Sequence, residues 1–553
     1  MTRGGQPGNG QRTGGGRGGG KPPPRSGRTP AGTPAPASRR WNHAFHRIDP
    51  KSDPPATRRR HRARRGSPGV GVLRRLRPRR PDAGLHGRQG RLRDAAQDSA
   101  ARRVDGRPRR HARLALEAQS GTTEFTPGAP SDTWGFNGSY LGPTLVAKLG
   151  EHVRVDVTNA LEVPTTVHWH GMHLPAEMDG GPHQMVDPDA TWSPEWDIDQ
   201  QAATLWYHPH LHGETESHVA RGLAGMFLIQ DDVEQALPLP REYGVDDVPV
   251  IVQDTGFSDG GVRDGSQRGF AGRLGDELLV NGMRGPYLEV SDEVVRLRLL
   301  NASTARSYAF TWSDGRPVEL IATDGGMLEA SVELDLVMLS PGERAEVLVR
   351  VTPGERLVLR SEMTAEAAGM IGSIAAMNGR TDSFDVLELR AADELDASAE
   401  VPDQLAELPP VDAGEVAATR RFTLDGFEVN GHQMEMGRID ETVTVDTTER
   451  WVVENTSQMP HSFHVHDVQF RIASIDGSPP PPHLAGWKDT IFAAPETEFE
   501  LILRFEDYAD PDSPYMYHCH LLWHEDQGMM GQFAVVEPGS SATMTEGTTH
   551  HEH

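Results

Sequence analysis

An Asn-Gly pair recurs at Asn137, Asn281 and Asn430, 144 and 149 residues apart, and each opens a stretch built the same way: turn, short loop, alternating strand, closing Asn. The three copies read FNGSYLGPTLVAKLGEHVRVDVTNAL, LVNGMRGPYLEVSDEVVRLRLLNAS and FEVNGHQMEMGRIDETVTVDTTERWVVENTS. Asn-Gly is a favoured hairpin turn. Segments such as HVRVDV, AEVLVRV and EFELILRF alternate apolar and charged residues with the period of a half-buried strand. A repeat of this length is one β-sandwich, so the chain is expected to be all-β, with three sandwiches in tandem.

The residues just past the closing Asn separate the copies. VHWHGMH comes soon after Asn159 and HSFHVH soon after Asn455, whereas ASTARSYAF comes directly after Asn301 with no histidine. The first and third copies therefore carry the chemistry, and the second reads as a spacer. The full set of clusters is His168-Trp-His170, His208-Pro-His210-Leu-His212, His461-Ser-Phe-His464-Val-His466, and His518-Cys519-His520 with His524 and Met529 behind it. Residues two apart in a strand face the same way, so each HxH pair aims two imidazoles at one point. One such pair is most often a solvated surface pair. Four of them in one acidic body point to metal.

A closed structural zinc site takes four ligands and would leave most of these histidines idle. A thiolate with two imidazoles and a long axial Met is instead the pattern of a blue-copper electron-transfer site. Cys519 is the only cysteine, so no intramolecular disulfide can form. Cys519, His524 and Met529 share one loop, and His461, set apart from the His464-Val465-His466 pair, is the candidate for the second imidazole. Met530 competes with Met529 for the axial position and is read as core packing. If Cys519 faces that copper, His518 and His520 face the other side of their strand. With His168, His170, His208, His210, His464 and His466 they make eight imidazoles, the complement of a three-copper cluster between the first and third copies.

HWHG, WYHPHLHG, HSFHVH and HCHLLWHEDQGMM resemble, in order, the four copper signatures of the three-domain multicopper oxidases. The flanks AEMDGGPHQ, ARGLAGMFLIQDD, DDVPVIVQD, RLRLLNAS, ATDGGMLE and AGWKDT are similar to the bacterial branch containing copper-efflux cuprous oxidases, laccases and bilirubin oxidases, and the likeness spans roughly residues 116–537. It implies cupredoxin-like Greek-key domains, here placed at 113–235, at 245–395 without copper, and at 418–538 with the type 1 copper. It implies four coppers per chain. His461, Cys519, His524 and Met529 would hold type 1; His168 and His464 type 2; and His170, His208, His210, His466, His518 and His520 the type 3 pair. His212 lies beyond the ligands of that pattern. Asp179 and Glu525 match acids that such enzymes use to deliver protons, with O2 as acceptor. His461, taken to lie on a loop near the surface, is the expected point of electron entry. Cuprous oxidases carry a methionine-rich insert in the third domain; here there are only Met434 and Met436, and Ser457 stands where those enzymes have an Asp, although Met459 is kept. A phenol, arylamine or bilirubin-like donor is therefore expected, at a more open copper edge, with Cu(I) oxidation and non-enzymatic copper binding as alternatives.

Charge bounds the rest. Residues 1–115 hold 30 Lys and Arg against 6 Asp and Glu, and the remainder 25 against 74. So acidic a body excludes nucleic-acid binding by that body. The Arg/Gly/Pro-rich head, residues 1–112, has no apolar stretch of signal-peptide length. It is expected to be disordered, or a misread start. Export is expected by analogy alone; a monomer is expected, and no apolar run is long enough for a transmembrane helix. The tail, 539–553, ends in His550, His551 and His553 and is read as disordered, with adventitious metal affinity.

Overall fold

The computed structural model describes residues 111–262, 268–362, 382–411 and 416–543, preceded by two short strands, Arg103–Val104 and Arg107–Pro108. Most of the basic head, and the histidines of the tail, lie outside the described residues. Strands dominate and pair into three two-sheet sandwiches. In the first, the sheet of Ala129–Phe136, His111–Thr126, His152–Asn159 and Thr191–Trp192 packs on that of Leu145–Lys148, Gly225–Gln230, Ala203–His208 and His168–His170. The second joins a six-stranded sheet centred on Val294–Asn301 and Arg344–Arg350 to a five-stranded one centred on Arg356–Glu362. In the third, a sheet centred on Thr447–Asn455 packs on one ordered Glu441–Thr444, Met530–Val536, Tyr515–Cys519, His461–Val465 and Thr490–Ala493.

The repeat is written in hydrogen bonds as well as in letters. Asn137, Asn281 and Asn430 all sit at positive φ, 56°, 50° and 54°, which Asn tolerates better than most residues. Each side chain reaches back to the first strand of its copy in the same way. Asn137 accepts from the Glu117 amide and donates to the Ala115 carbonyl; Asn281 uses Ile251 and Pro249, and Asn430 uses Thr423 and Arg421. The closing Asn159, Asn301 and Asn455 are fully buried, and each accepts from the amide two residues on and donates to two carbonyls. Each copy also has its first strand parallel to the strand that ends in this Asn.

The sandwiches are locked together by buried polar groups. Arg298 of the second donates to both oxygens of Asp247 (2.6 and 2.9 Å) and reaches Thr204 of the first at 2.9 Å. Arg296 pairs with Glu234 and Glu346. An ion network with every partner in place fixes one arrangement more than it adds net stability. Among the described residues no helix is long and apolar enough to cross a membrane.

Candidate metal centre

Strand alternation builds the larger site. In His168-Trp169-His170 the tryptophan belongs to the core of the first sandwich; in His464-Val465-His466 and His518-Cys519-His520 the central residue belongs to the core of the third. The flanking histidines are driven out of the opposite face, toward the other domain. Register then aligns them, with His168 opposite His208 and His464 opposite His518. Across the interface the His168 and His466 rings stack at 3.8 Å and those of His170 and His464 at 3.7 Å, while Nε2 of His518 lies 3.2 Å from Nε2 of both His210 and His466. All eight imidazoles are buried. The eight rings meet between the first and third sandwiches.

Outer contacts decide which ring nitrogen faces inward. His168 Nδ1 donates to the Asp179 carbonyl at 3.0 Å and His464 Nδ1 to the Asp489 carbonyl at 2.8 Å, leaving both Nε2 atoms buried without a partner. His466 Nδ1 meets Asp179 Oδ2 at 2.7 Å; Glu525 lies 3.2 Å from His518 Nδ1 and 3.5 Å from His210 Nδ1. His170 is turned the other way, with Nε2 against Asp489 Oδ1 at 3.1 Å and Nδ1 toward His208. Burial, reinforced by the neighbouring rings, pushes the pKa values of His170, His208, His464, His466 and His520 well down. His210 falls to about 3, again chiefly through burial. Neutral imidazoles whose inward nitrogens meet only one another or, in His168, His464 and His520, no protein group fit a metal cluster, and three trios of ligand atoms drawn from these rings each lie within 4.8 Å of one another.

The smaller site is a triangle. Cys519 Sγ lies 3.5 Å from His461 Nδ1 and 3.6 Å from His524 Nδ1, and the two nitrogens are 3.2 Å apart. His461 Nε2 is tied to Ser457 Oγ at 3.1 Å and His524 Nε2 to the Phe270 carbonyl at 3.2 Å, so both rings present Nδ1. Met529 is buried in the same core as Cys519, whereas Met530 packs with Met434 and Met516 in a separate cluster. Burial pushes the Cys519 thiol up to about 12, so a metal must displace its proton.

Two expectations are overturned. His461 is not on a surface loop: it begins strand His461–Val465 and is 1 % exposed, because its odd spacing from His464 turns it inward to Cys519. The edge of the site is also not open, since Phe270 and Phe427 cover His524. His212 is exposed and outside every ligand group, as read from the motif.

The second sandwich is more than a spacer. Its Arg344 donates to Asp489 at 2.7 and 2.6 Å, and Gly342, at φ 89°, lets the chain pass where a Cβ would meet the His520 ring at 3.0 Å. Asp489 and Arg344 escaped the sequence reading because no local motif marks them; AGWKDT stood out only as a flank.

His173, three residues beyond His170, latches the first domain to the third through Asp467 (2.8 Å) and Asp507 (3.4 Å). Burial opposes its charge, but the two carboxylates outweigh it and hold the pKa at about 9; burial also raises the Asp467 carboxyl. His173 thus binds its proton more tightly folded than unfolded. The latch should therefore contribute fully below pH 6.5 and fade as pH rises toward 9, by up to ~3 kcal/mol. Urea unfolding across that window should show the loss, and His173→Gln should flatten it.

Family comparison agrees with this geometry. Residues 117–234 and 400–539 each match a model described as multicopper oxidase. The cell division protein FtsP of Escherichia coli (strain K12) is 37 % identical over 431 residues, 77 % of this chain and 90 % of that one. Among solved structures, a multi-copper oxidase from Pediococcus acidilactici superposes with a TM-score of 0.70 at 35 % identity, covering 80 % of this chain and 90 % of the other. A laccase-like multi-copper oxidase from Ochrobactrum sp., with oxidase activity towards lignin model compounds and lignosulfonate, gives 0.70 at 33 % identity over 77 % and 99 %. The fold and site are those of a copper-binding cupredoxin assembly. The chain belongs to the multicopper oxidase family.

Proposed function

We propose that the chain is an active, laccase-like multicopper oxidase that couples four one-electron oxidations of an organic donor to reduction of O2 to water. The observation that carries this is the convergence of eleven buried imidazole and thiol side chains on two centres, their inward ring nitrogens meeting only one another or the thiol, or, as in His168, His464 and His520, no protein group. In this reading His461, Cys519, His524 and Met529 would hold type 1 copper, His168 and His464 type 2, and His170, His208, His210, His466, His518 and His520 the type 3 pair. Bound copper would supply the electron transfer and the oxygen chemistry. The chain's own acids are placed to pass protons inward: Asp179 at His466 Nδ1, and Glu525 between His210 and His518, both buried beside the cluster. Ser457, bonded to His461 and standing where cuprous oxidases have an Asp, favours an organic donor over Cu(I). Export, and action as a monomer, follow by analogy.

Copper quantitation, a visible spectrum and O2 uptake with an arylamine and with Cu(I) test the reading together. Four coppers per chain, an intense copper–thiolate band and faster O2 uptake with the arylamine are expected. A second reading, a role in cell division without oxidase activity, is favoured by the FtsP relatives. Colourless protein that takes up no copper would sink the first reading and leave the second.

A further inference from the structure

Phe270 is the one aromatic among the large hydrophobic side chains left exposed in the described residues, at 44 %. It stacks on Phe427 (5.6 Å between centroids, 16° between planes), and both rings meet His524 edge-on, at 6.0 and 5.0 Å. Beneath them His461, Cys519 and His524 are buried, and the cavity beside His461 holds only about 10 Å³, room for one water. The cap is anchored. Its hairpin, Arg268–Gly269 with Gly272–Arg273, is tied through the Arg273 amide (2.9 Å) and Nε (3.2 Å) to buried Glu216 of the first domain. At Gly272, φ 125°, a Cβ would lie 3.1 Å from that of Trp523 in the third. In addition, the outer nitrogen of His524 is already engaged by the Phe270 carbonyl, so a donor cannot hydrogen-bond to it in this arrangement.

We infer that Phe270 is the donor-docking residue: a planar arylamine stacks on its exposed face and delivers its electron through the Phe270–Phe427 pair to His524, without touching the imidazole. This rests on the oxidase reading above. The donor loses one electron and forms no bond, and O2 is the terminal acceptor. Exposed Asp425 and Glu428 flank Phe427, which suits a basic amine better than an anionic donor. Stacking makes Phe270 a specificity-determining position, because aromatic pairs gain more than their buried area alone.

The test separates stacking from shielding. Phe270→Leu keeps a plug without a ring, Phe270→Trp restores the ring and Phe270→Ala removes both. In copper-loaded protein, the ratio of kcat/KM for p-phenylenediamine to that for hexacyanoferrate(II) should fall roughly 2- to 10-fold in Phe270→Leu and recover in Phe270→Trp. In copper-free protein, the maleimide reaction of Cys519 should accelerate in Phe270→Ala but not in Phe270→Trp. An unchanged donor ratio in Phe270→Leu overturns the docking role, and an unchanged thiol rate in Phe270→Ala overturns the cap. Because the thiol arm needs no copper, failure of the oxidase reading would leave it intact and be recognised as such.

Discussion

Asp489→Ala is expected to destabilise the copper-free protein by about 3 kcal/mol, since it removes the bidentate partner of a buried cation. Arg344 is fully buried, and Asp489 takes both of its terminal nitrogens; the remaining acceptors of the guanidinium are the carbonyls of Thr204, Gly342 and Asp324. Removing the carboxylate takes away the cation's bidentate partner and leaves it main-chain carbonyls and, at 3.9 Å, the Asp324 carboxylate that Lys488 already engages. The same substitution frees His170 Nε2 from Asp489 Oδ1, while His464 keeps its bond to the main-chain carbonyl. Copper uptake at the cluster should therefore weaken through one ring rather than collapse. Urea unfolding of Asp489→Ala, Arg344→Met and the double variant checks the cause. The double variant should lose clearly less than the sum of the singles, because it no longer buries one half of the pair without the other. Additive losses would show that the ion pair is not the origin of the effect.

The parts of this architecture that follow a period were legible, and the parts that depend on contact between distant segments were not. His168 and His170, or His518 and His520, declare themselves because two residues is the period of a strand, and Asn137, Asn281 and Asn430 because one sandwich is the period of the chain. Cys519 between two histidines was enough to assign its neighbours to a second centre. Arg344 and Asp489 are 145 residues apart, and neither has a local pattern that distinguishes a buried pair from two surface charges. Phe270 lies 254 residues from His524 in a Gly-rich hairpin of the domain without histidines, which is why the copper edge was expected to be open. His461 shows how spacing both helps and misleads: its offset from His464 correctly turned it toward Cys519, but isolation in the sequence suggested a surface loop where the chain has a buried strand.

Cys519→Ser is the sharpest test of the division of labour between the two centres. The substitution is nearly isosteric, and the thiol it replaces is neutral in the copper-free protein, since burial pushes its pKa up to about 12. Copper-free stability should therefore change little. The backbone that aims its neighbours should persist, because the residue 519 amide donates to the Met529 carbonyl at 3.0 Å and the His520 amide is held by Ser462. His518 keeps Glu525 at 3.2 Å and His520 keeps its place over Gly342. On the proposed reading the loss is of the soft, anionic ligand that would select copper at the Cys519 triangle, for which a hydroxyl is a poor substitute. The expected result is one copper fewer per chain, no thiolate absorption, one proton fewer released on loading, and donor oxidation at background, with the histidine cluster still filled. The holoprotein's thermal advantage over the copper-free form should shrink accordingly, because that part of its stability is binding free energy. Atomic absorption, a visible spectrum, proton release and O2 uptake on the same preparation decide it. Donor oxidation near the wild-type rate in Cys519→Ser would mean that electrons enter the cluster directly, and that the Cys519 triangle is not the input site.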